Sequence, residues 1–264
     1  MLFILYIDDI GDICLGTVTH KLFADDLKLY TTIQSEYDRQ LLQDALVRLQ
    51  QWCADWQMSI NIEKCHVLNI GRNSNSNKHS IYGCELNAAQ NVRDLGICVD
   101  VVLNFDAHIN NIVGKAYSRI GVLYKGFASR DISILKRAYN IAYVRPILEY
   151  ASSVWSPHLS KHTNAIERVQ KYFTKRIPSL SHLSYSERLA AIDLEPLELR
   201  RLKADLVLYY KCLNNLVALP SHNYFTLSQH FSQTRTGGNR LIVPLCHTNC
   251  YQNDFFNRRL ACWN

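Results

Sequence analysis

Leu22-Phe23-Ala24-Asp25-Asp26-Leu27-Lys28-Leu29-Tyr30 places two adjacent carboxylates inside an apolar, strand-forming run. A buried strand excludes charge, and ionised carboxylates set there cost free energy unless a cation or partner neutralises them. The residues Lys21 to Ala24 on one side and Leu27 to Tyr30 on the other are long enough for two short strands. A β-hairpin with Asp25 and Asp26 at its turn is therefore predicted. Oxygen ligands beside a strand suit Mg²⁺, which is held by one or two protein carboxylates together with substrate phosphates. Asp25 and Asp26 are the leading candidates for metal binding and catalysis, and a solvated turn is the bland alternative.

The flanking segments sharpen the reading. Leu2-Phe3-Ile4-Leu5-Tyr6-Ile7-Asp8-Asp9-Ile10 precedes the pair, and Trp56-Gln57-Met58-Ser59-Ile60-Asn61-Ile62-Glu63-Lys64-Cys65 and Val92-Arg93-Asp94-Leu95-Gly96-Ile97 follow it. In this order they resemble the reverse transcriptases of non-LTR, LINE-type retrotransposons. The resemblance implies that Asp25 is the principal metal ligand and Asp26 its weaker partner. Lys64 would approach the leaving pyrophosphate as general acid or charge stabiliser, and Leu95-Gly96 would lie in a primer-grip-like region. Gly96 either admits a primer terminus close to the backbone or marks a β-bulge. The family also takes a further aspartate from an upstream strand, for which this chain is expected to begin too late, and it continues beyond Asn264. Tyr6-Ile7-Asp8-Asp9 imitates the retroviral form of the same acidic motif. Gly11 follows too soon for a return strand, which puts Asp8 and Asp9 in a surface connection.

The chain has 264 residues, 48% of them hydrophobic, enough for one elongated domain or two smaller ones. No apolar run approaches the roughly 20 residues that span a bilayer, and the first residues lack the basic flank and small-residue cleavage site of a signal peptide. Nine cysteines at irregular spacing fit reduced thiols better than a secreted disulfide framework. The expectation is an intracellular protein, cytoplasmic or nuclear. Cys246-His247-Thr248-Asn249-Cys250 with Cys262 falls short of the paired spacings of a zinc site.

Net charge is +6, unevenly spread. Residues 1–106 hold 8 Lys/Arg against 14 Asp/Glu, residues 107–204 hold 16 against 7, and residues 205–264 hold 5 against 2. Positive charge confined to one block is the footprint of a phosphate-backbone contact, although solvated helix faces carry such residues too.

Along the chain, Ser35-Glu36-Tyr37-Asp38 reads as a helix start, and Leu42, Ala45, Leu46, Leu49, Cys53 and Trp56 recur at helical spacing. Trp52 and Trp56 are assigned to packing. Ser59 to Ile62 alternates like a strand with one wet face. Gly71 to His79 is a polar loop, and residues 80–86 and 92–99 read as short strands around turns. From Phe105 the period becomes helical, through Ile109, Ile112, Val113, Ala116, Ile120, Leu123 and Phe127. Further helices are expected near 131–150, 161–177, 184–192 and 196–217, with prolines at their boundaries. Arg168, Lys171, Lys175 and Arg176 share roughly one helix face, with Ile166, Val169, Phe173 and Ile177 opposite, and Arg200, Arg201 and Lys203 make a second basic cluster. The aromatics of residues 143–157 are read mainly as core. Beyond Pro220 the chain turns polar, through Thr234 to Asn239.

The expected fold class is α+β: a partial reverse-transcriptase palm, an antiparallel sheet with a packed helix over residues 1–104, then a mostly α-helical, basic, thumb-like subdomain over 105–219 and an irregular extension over 220–264. The ancestral reaction implied is RNA-templated DNA synthesis by two-metal nucleotidyl transfer. Its cofactor is Mg²⁺ or Mn²⁺ and its partners are an RNA template, a DNA primer and deoxynucleotides, with no membrane and no small-molecule cofactor. The fragment alone is expected to be inactive. A nucleic-acid-binding remnant without catalysis, or a transposon relic without function, are the alternatives.

Overall fold

A computed structural model describes residues 2–71, 78–127, 131–227 and 240–264. The chain divides into two units, Met1–Asp94 with Asp100–Val102, and Leu95–Val99 with Leu103–Asn264.

The first unit contains a short helix α1 (Leu2–Tyr6), a 3₁₀ turn (Asp8–Ile13), strands β1 (Thr19–Phe23) and β2 (Asp26–Tyr30), and helix α2 (Glu36–Asp55). The strands pair antiparallel with Phe23 opposite Asp26, so only Ala24 and Asp25 link them. Ala24 takes a positive φ of 52°, as the first position of a tight hairpin link often requires and as glycine does at less cost. Residues alternate across the ladder: Leu22, Leu27 and Leu29 turn inward, toward Ile10, Ile13, Leu49 and Cys53. Gly11 lies under His20, where a Cβ would meet the imidazole at 2.7 Å.

Helix α2 begins where its sequence says it should. The Ser35 hydroxyl accepts from the Asp38 N–H, and the Asp38 carboxylate accepts from the Ser35 N–H at 2.9 Å, a reciprocal cap. Ala45, Leu46, Leu49 and Cys53 are buried along one stripe. Leu46 also meets Ile81 and Leu86 from the downstream strands. Gln43 clips the same segment, its amide bonding the Ser80 carbonyl at 2.9 Å and accepting from the Ser80 N–H at 3.0 Å.

The expectation of one antiparallel sheet is corrected. Among the described residues the strands form four separate two-stranded ladders. β3 (His66–Val67) pairs in parallel with β6 (Asn87–Ala88), and β4 (Ser80–Ile81) pairs with β5 (Cys84–Glu85). Strands of two residues present too few backbone groups to recruit a second neighbour. Ser59 to Ile62 is not a strand. Its burial alternates as expected, but no segment among the described residues pairs with it and the chain turns instead into a 3₁₀ turn at Ile62–Lys64. The loop expected from Gly71 to His79 lies outside the described residues over 72–77, and so do Thr234 to Asn239.

β7 (Asn91–Asp94) and β8 (Ile97–Asp100) form the fourth ladder. Leu95 and Gly96 link them at φ 43° and 89°, the signature of a two-residue hairpin turn. Gly96 therefore occupies a turn and not a strand interior or bulge.

The second unit is helical: α3 (Asp106–Gly126), α4 (Ile132–Arg137), α5 (Arg145–Glu149), α6 (Ser152–Trp155), α7 (Ser160–Lys175), α8 (Tyr185–Ala191), α9 (Leu197–Leu213), α10 (Asn249–Gln252) and α11 (Leu260–Trp263). α3 buries Ile109, Ile112, Ala116, Ile120 and Leu123 in one core with Ile166, Val169, Phe173 and Ile177, the inward residues expected of each. Tyr139 stacks on Phe173 with centroids 4.2 Å apart. The single helix expected near 131–150 is broken into α4, a π-helical segment at Ala138–Tyr143, and α5, whose start carries Pro146. Proline cannot donate to the preceding turn, so a continuous helix fails there.

A buried polar chain crosses this core. The Tyr139 hydroxyl donates to the Gln170 side chain at 3.0 Å, and the Gln170 amide donates to the Tyr185 hydroxyl at 3.1 Å and to the Glu195 carbonyl at 2.9 Å. A smaller cluster gathers Tyr209, Cys212, Phe225, Leu241 and Leu260. Beside it Asp205, fully buried, accepts two hydrogen bonds from Arg258 at 2.9 and 3.0 Å and one from Arg259 at 3.3 Å.

Two outcomes follow from these local geometries. Ala24→Gly relieves a left-handed alanine and should stabilise the first unit by about 1 kcal/mol in chemical denaturation, without altering charge. His108 is 4% exposed, its Nδ1 accepts the Cys98 N–H at 3.3 Å, and burial, then Lys115, holds its pKa below the ordinary 6.5. The unfolded chain therefore binds a proton that the folded chain resists, so stability should be complete above about pH 6.5 and fall as pH drops below it. Denaturation midpoints at pH 7.5 and 5.5 check this, and a His108→Phe chain should show the smaller difference.

Candidate catalytic hairpin and basic helix face

Asp25 and Asp26 stand at the tip of the β1–β2 hairpin, as the flanking strands require, but both are exposed to solvent. The burial penalty expected from their apolar neighbours does not arise. Asp25 stands in the two-residue link and Asp26, the first residue of β2, faces outward across from Phe23, while the leucines to either side alternate inward. Neither carboxylate takes a hydrogen bond or ion pair among the described residues. The outward face of the hairpin carries Thr19, Lys21, Phe23, Asp26, Lys28 and Tyr30. Lys21 stands directly opposite Lys28, a repulsive pairing that is offset where Lys28 forms an ion pair with Asp94.

Two free, exposed carboxylates are a hard-oxygen donor set of the kind a hard divalent cation accepts. Among the described residues no third His, Cys, Asp or Glu joins them into a group able to hold a metal by itself. Asp8 and Asp9 lie exposed in the 3₁₀ turn Asp8–Ile13, where Asp9 accepts the Trp52 indole N–H at 3.0 Å. They occupy the surface connection expected of them. Lys64 ends the 3₁₀ turn at Ile62–Lys64 and is exposed.

Leu95 and Gly96 are held by a residue the sequence reading assigned to the core. The hydroxyl of Tyr150 donates to the Leu95 carbonyl at 3.0 Å, and its ring lies 3.5 Å from the position of a Cβ on Gly96. Tyr150 is 57% exposed, whereas Trp155, read in the same way, is buried.

Arg168, Lys171, Lys175 and Arg176 are all exposed along the outer side of α7 and its end. Aromatic rings order two of them. The Arg176 guanidinium lies 4.7 Å from the Tyr124 ring centre and 5.3 Å from that of Tyr172, and it donates to the Tyr172 hydroxyl at 2.5 Å. The Lys171 ammonium sits 5.1 Å from the Tyr185 ring centre. The sequence reading missed these tyrosines. The one-turn spacing of Tyr172 and Arg176 carried the only local signal.

The second basic cluster does not form. Arg201 is 2% exposed, and burial lowers its pKa from the ordinary arginine value. Arg200 pairs with Glu149, with a longer contact to Glu195 at 3.9 Å, and Lys203 pairs with Glu195. Adjacent helical residues point about 100° apart, so Arg200 and Arg201 cannot share an outward face.

Residues 1–99 match the reverse transcriptase (RNA-dependent DNA polymerase) family. The chain is 29% identical over 132 residues to an uncharacterized protein of Caenorhabditis elegans, covering 49% of this chain and 66% of that protein. It is 30% identical over 159 residues to the RNA-directed DNA polymerase from mobile element jockey of Drosophila melanogaster, covering 59% of this chain and 17% of that enzyme. It is 26% identical over 156 residues to the probable RNA-directed DNA polymerase from transposon BS of the same fly, covering 56% of this chain and 17% of the other. The chain thus spans about a sixth of the length of these polymerases. No solved structure matches it. Over its first 99 residues the chain is thus similar to the reverse transcriptase family, and its similarity to polymerases of mobile elements supports a reverse transcriptase segment of the non-LTR retrotransposon kind.

Proposed function

We propose that the chain is the later part of a retrotransposon polymerase palm, residues 1–104, followed by a thumb-like segment, residues 105–219, and an extension over 220–264. Its own activity is to grip a template–primer duplex. The observation that carries this reading is the row of exposed cations along α7 and its end, two of them held against tyrosine rings. In the complete enzyme Asp25 and Asp26 would hold divalent cations, Mg²⁺ or Mn²⁺, which supply charge stabilisation to the attacking and leaving oxygens of nucleotide joining. Lys64 is assigned to the charge that develops on departing pyrophosphate. The turn at Leu95-Gly96, braced by Tyr150, is assigned to the primer.

Two vicinal carboxylates cannot fix two ions, so the 264 residues alone are proposed to bind nucleic acid without polymerising it. Arg168, Lys171 and Lys175, with Arg176 clamped between two tyrosines, form the gripping face. Arg200 and Lys203, tied to carboxylates, and Arg201, buried, contribute to helix packing instead.

Purified chain should bind an RNA–DNA duplex with an affinity that falls steeply between low and moderate salt. Replacing Arg168, Lys171 and Lys175 together by alanine should cut the slope of log affinity against log salt by about 3. An unchanged slope would remove the gripping face from the proposal. With primed RNA, Mg²⁺ and deoxynucleotides the chain should incorporate nothing, and incorporation that Asp25→Asn abolishes would show a self-sufficient polymerase.

A further inference from the structure

Trp52 and Trp56, assigned to packing by their helical spacing, and Tyr6 are not fully buried. Tyr6 meets Trp56 edge-on with centroids 4.8 Å apart, and Trp52 lies 6.2 Å from Trp56. The Tyr6 hydroxyl donates to the Trp56 carbonyl at 2.5 Å, and the Trp52 indole N–H donates to Asp9 at 3.0 Å. These bonds fix the rings together and tie them to a carboxylate. Tyr6 is 40% exposed and Trp56 38%. Contiguous aromatic surface rimmed by polar groups marks a place where something binds.

The surrounding charge says what kind of group. Asp8, Asp9, Asp12 and Asp55 are all exposed beside these rings in sequence. Neither residues 1–20 nor residues 50–62 contain a lysine or arginine, and Arg48, one turn before Trp52 on α2, spends its Nε on the Ile13 carbonyl at 2.6 Å and forms no ion pair with these carboxylates among the described residues. Asp8 and Asp12 have no hydrogen bond or ion pair among the described residues. A nucleobase stacked on these rings would carry its phosphate toward unneutralised carboxylates, the reverse of the positive groove that single-strand binding uses. A cation satisfies both features, since ring faces attract it through their quadrupole and carboxylates accept its N–H groups in charge-assisted hydrogen bonds.

We propose that Tyr6, Trp52 and Trp56, together with Asp9 and its neighbouring carboxylates, bind an arginine or lysine side chain presented by a basic peptide segment of a protein partner. The site is independent of the nucleic-acid reading and carries the opposite charge preference.

Fluorescence anisotropy of a labelled octa-arginine peptide, titrated with the full chain, tests it. Trp56→Leu removes the exposed ring while keeping apolar bulk. Asp9→Asn removes the charge while keeping an oxygen to accept the Trp52 N–H. Each should weaken binding by about fivefold or more, and Glu63→Gln, an exposed acid outside the cluster, should leave it unchanged. No binding, or binding that Asp9→Asn and Glu63→Gln weaken equally, overturns the proposal. So does a Trp56→Leu chain that still melts like the parent and binds as tightly. If Trp56→Leu unfolds, Asp9→Asn, which touches no buried group, decides the case.

Discussion

The register that sets Phe23 opposite Asp26 is the constraint on which the first unit depends. It allows only two residues in the link, so the chain must adopt a positive φ at Ala24, with Asp25 in the link and Asp26 on the outward face of β2. The same register directs Leu22, Leu27 and Leu29 to one side, where α2 supplies Leu49 and Cys53. A slip of one residue would turn those leucines to solvent and carry the carboxylates inward. Hydrophobic burial on one face and solvation of the acids at the tip thus select the same pairing.

In the second unit the equivalent constraint is the packing of α3 on α7. Residues spaced at helical intervals on each helix close a dry core, and the cations of α7 are left outside because that core accepts only the opposite stripe. Gln170 and Tyr139 sit within the core with their polar atoms satisfied, which fixes one relative rotation of the helices rather than a range of them. Arg258 and Arg259 anchor the end of the chain to Asp205 in the same way, since a buried carboxylate without them would carry an uncompensated charge.

The aromatic clusters of the two units differ in what accompanies them. Around α7, Tyr124, Tyr172 and Tyr185 sit beneath cations and order them, while in the first unit Trp52, packed near Trp56 and Tyr6, donates to the Asp9 carboxylate. Rings of the same type therefore contribute to surfaces of opposite electrostatic preference, and the neighbouring charge decides which.

The sequence by itself determined the features that depend on near neighbours. The hairpin came from apolar residues flanking two acids, the start of α2 from Ser35 and Asp38, and the inward stripes of α3 and α7 from their period. Each rests on interactions within a few residues, so a linear pattern contains it. The basic face of α7 was legible for the same reason. Tertiary structure alone decided that Ser59 to Ile62 finds no partner strand, that the ladders remain separate, that Arg201 is buried while Arg200 and Lys203 pair with acids, and that Tyr150 reaches Leu95. These outcomes depend on which distant segments meet, and local periodicity carries no record of it.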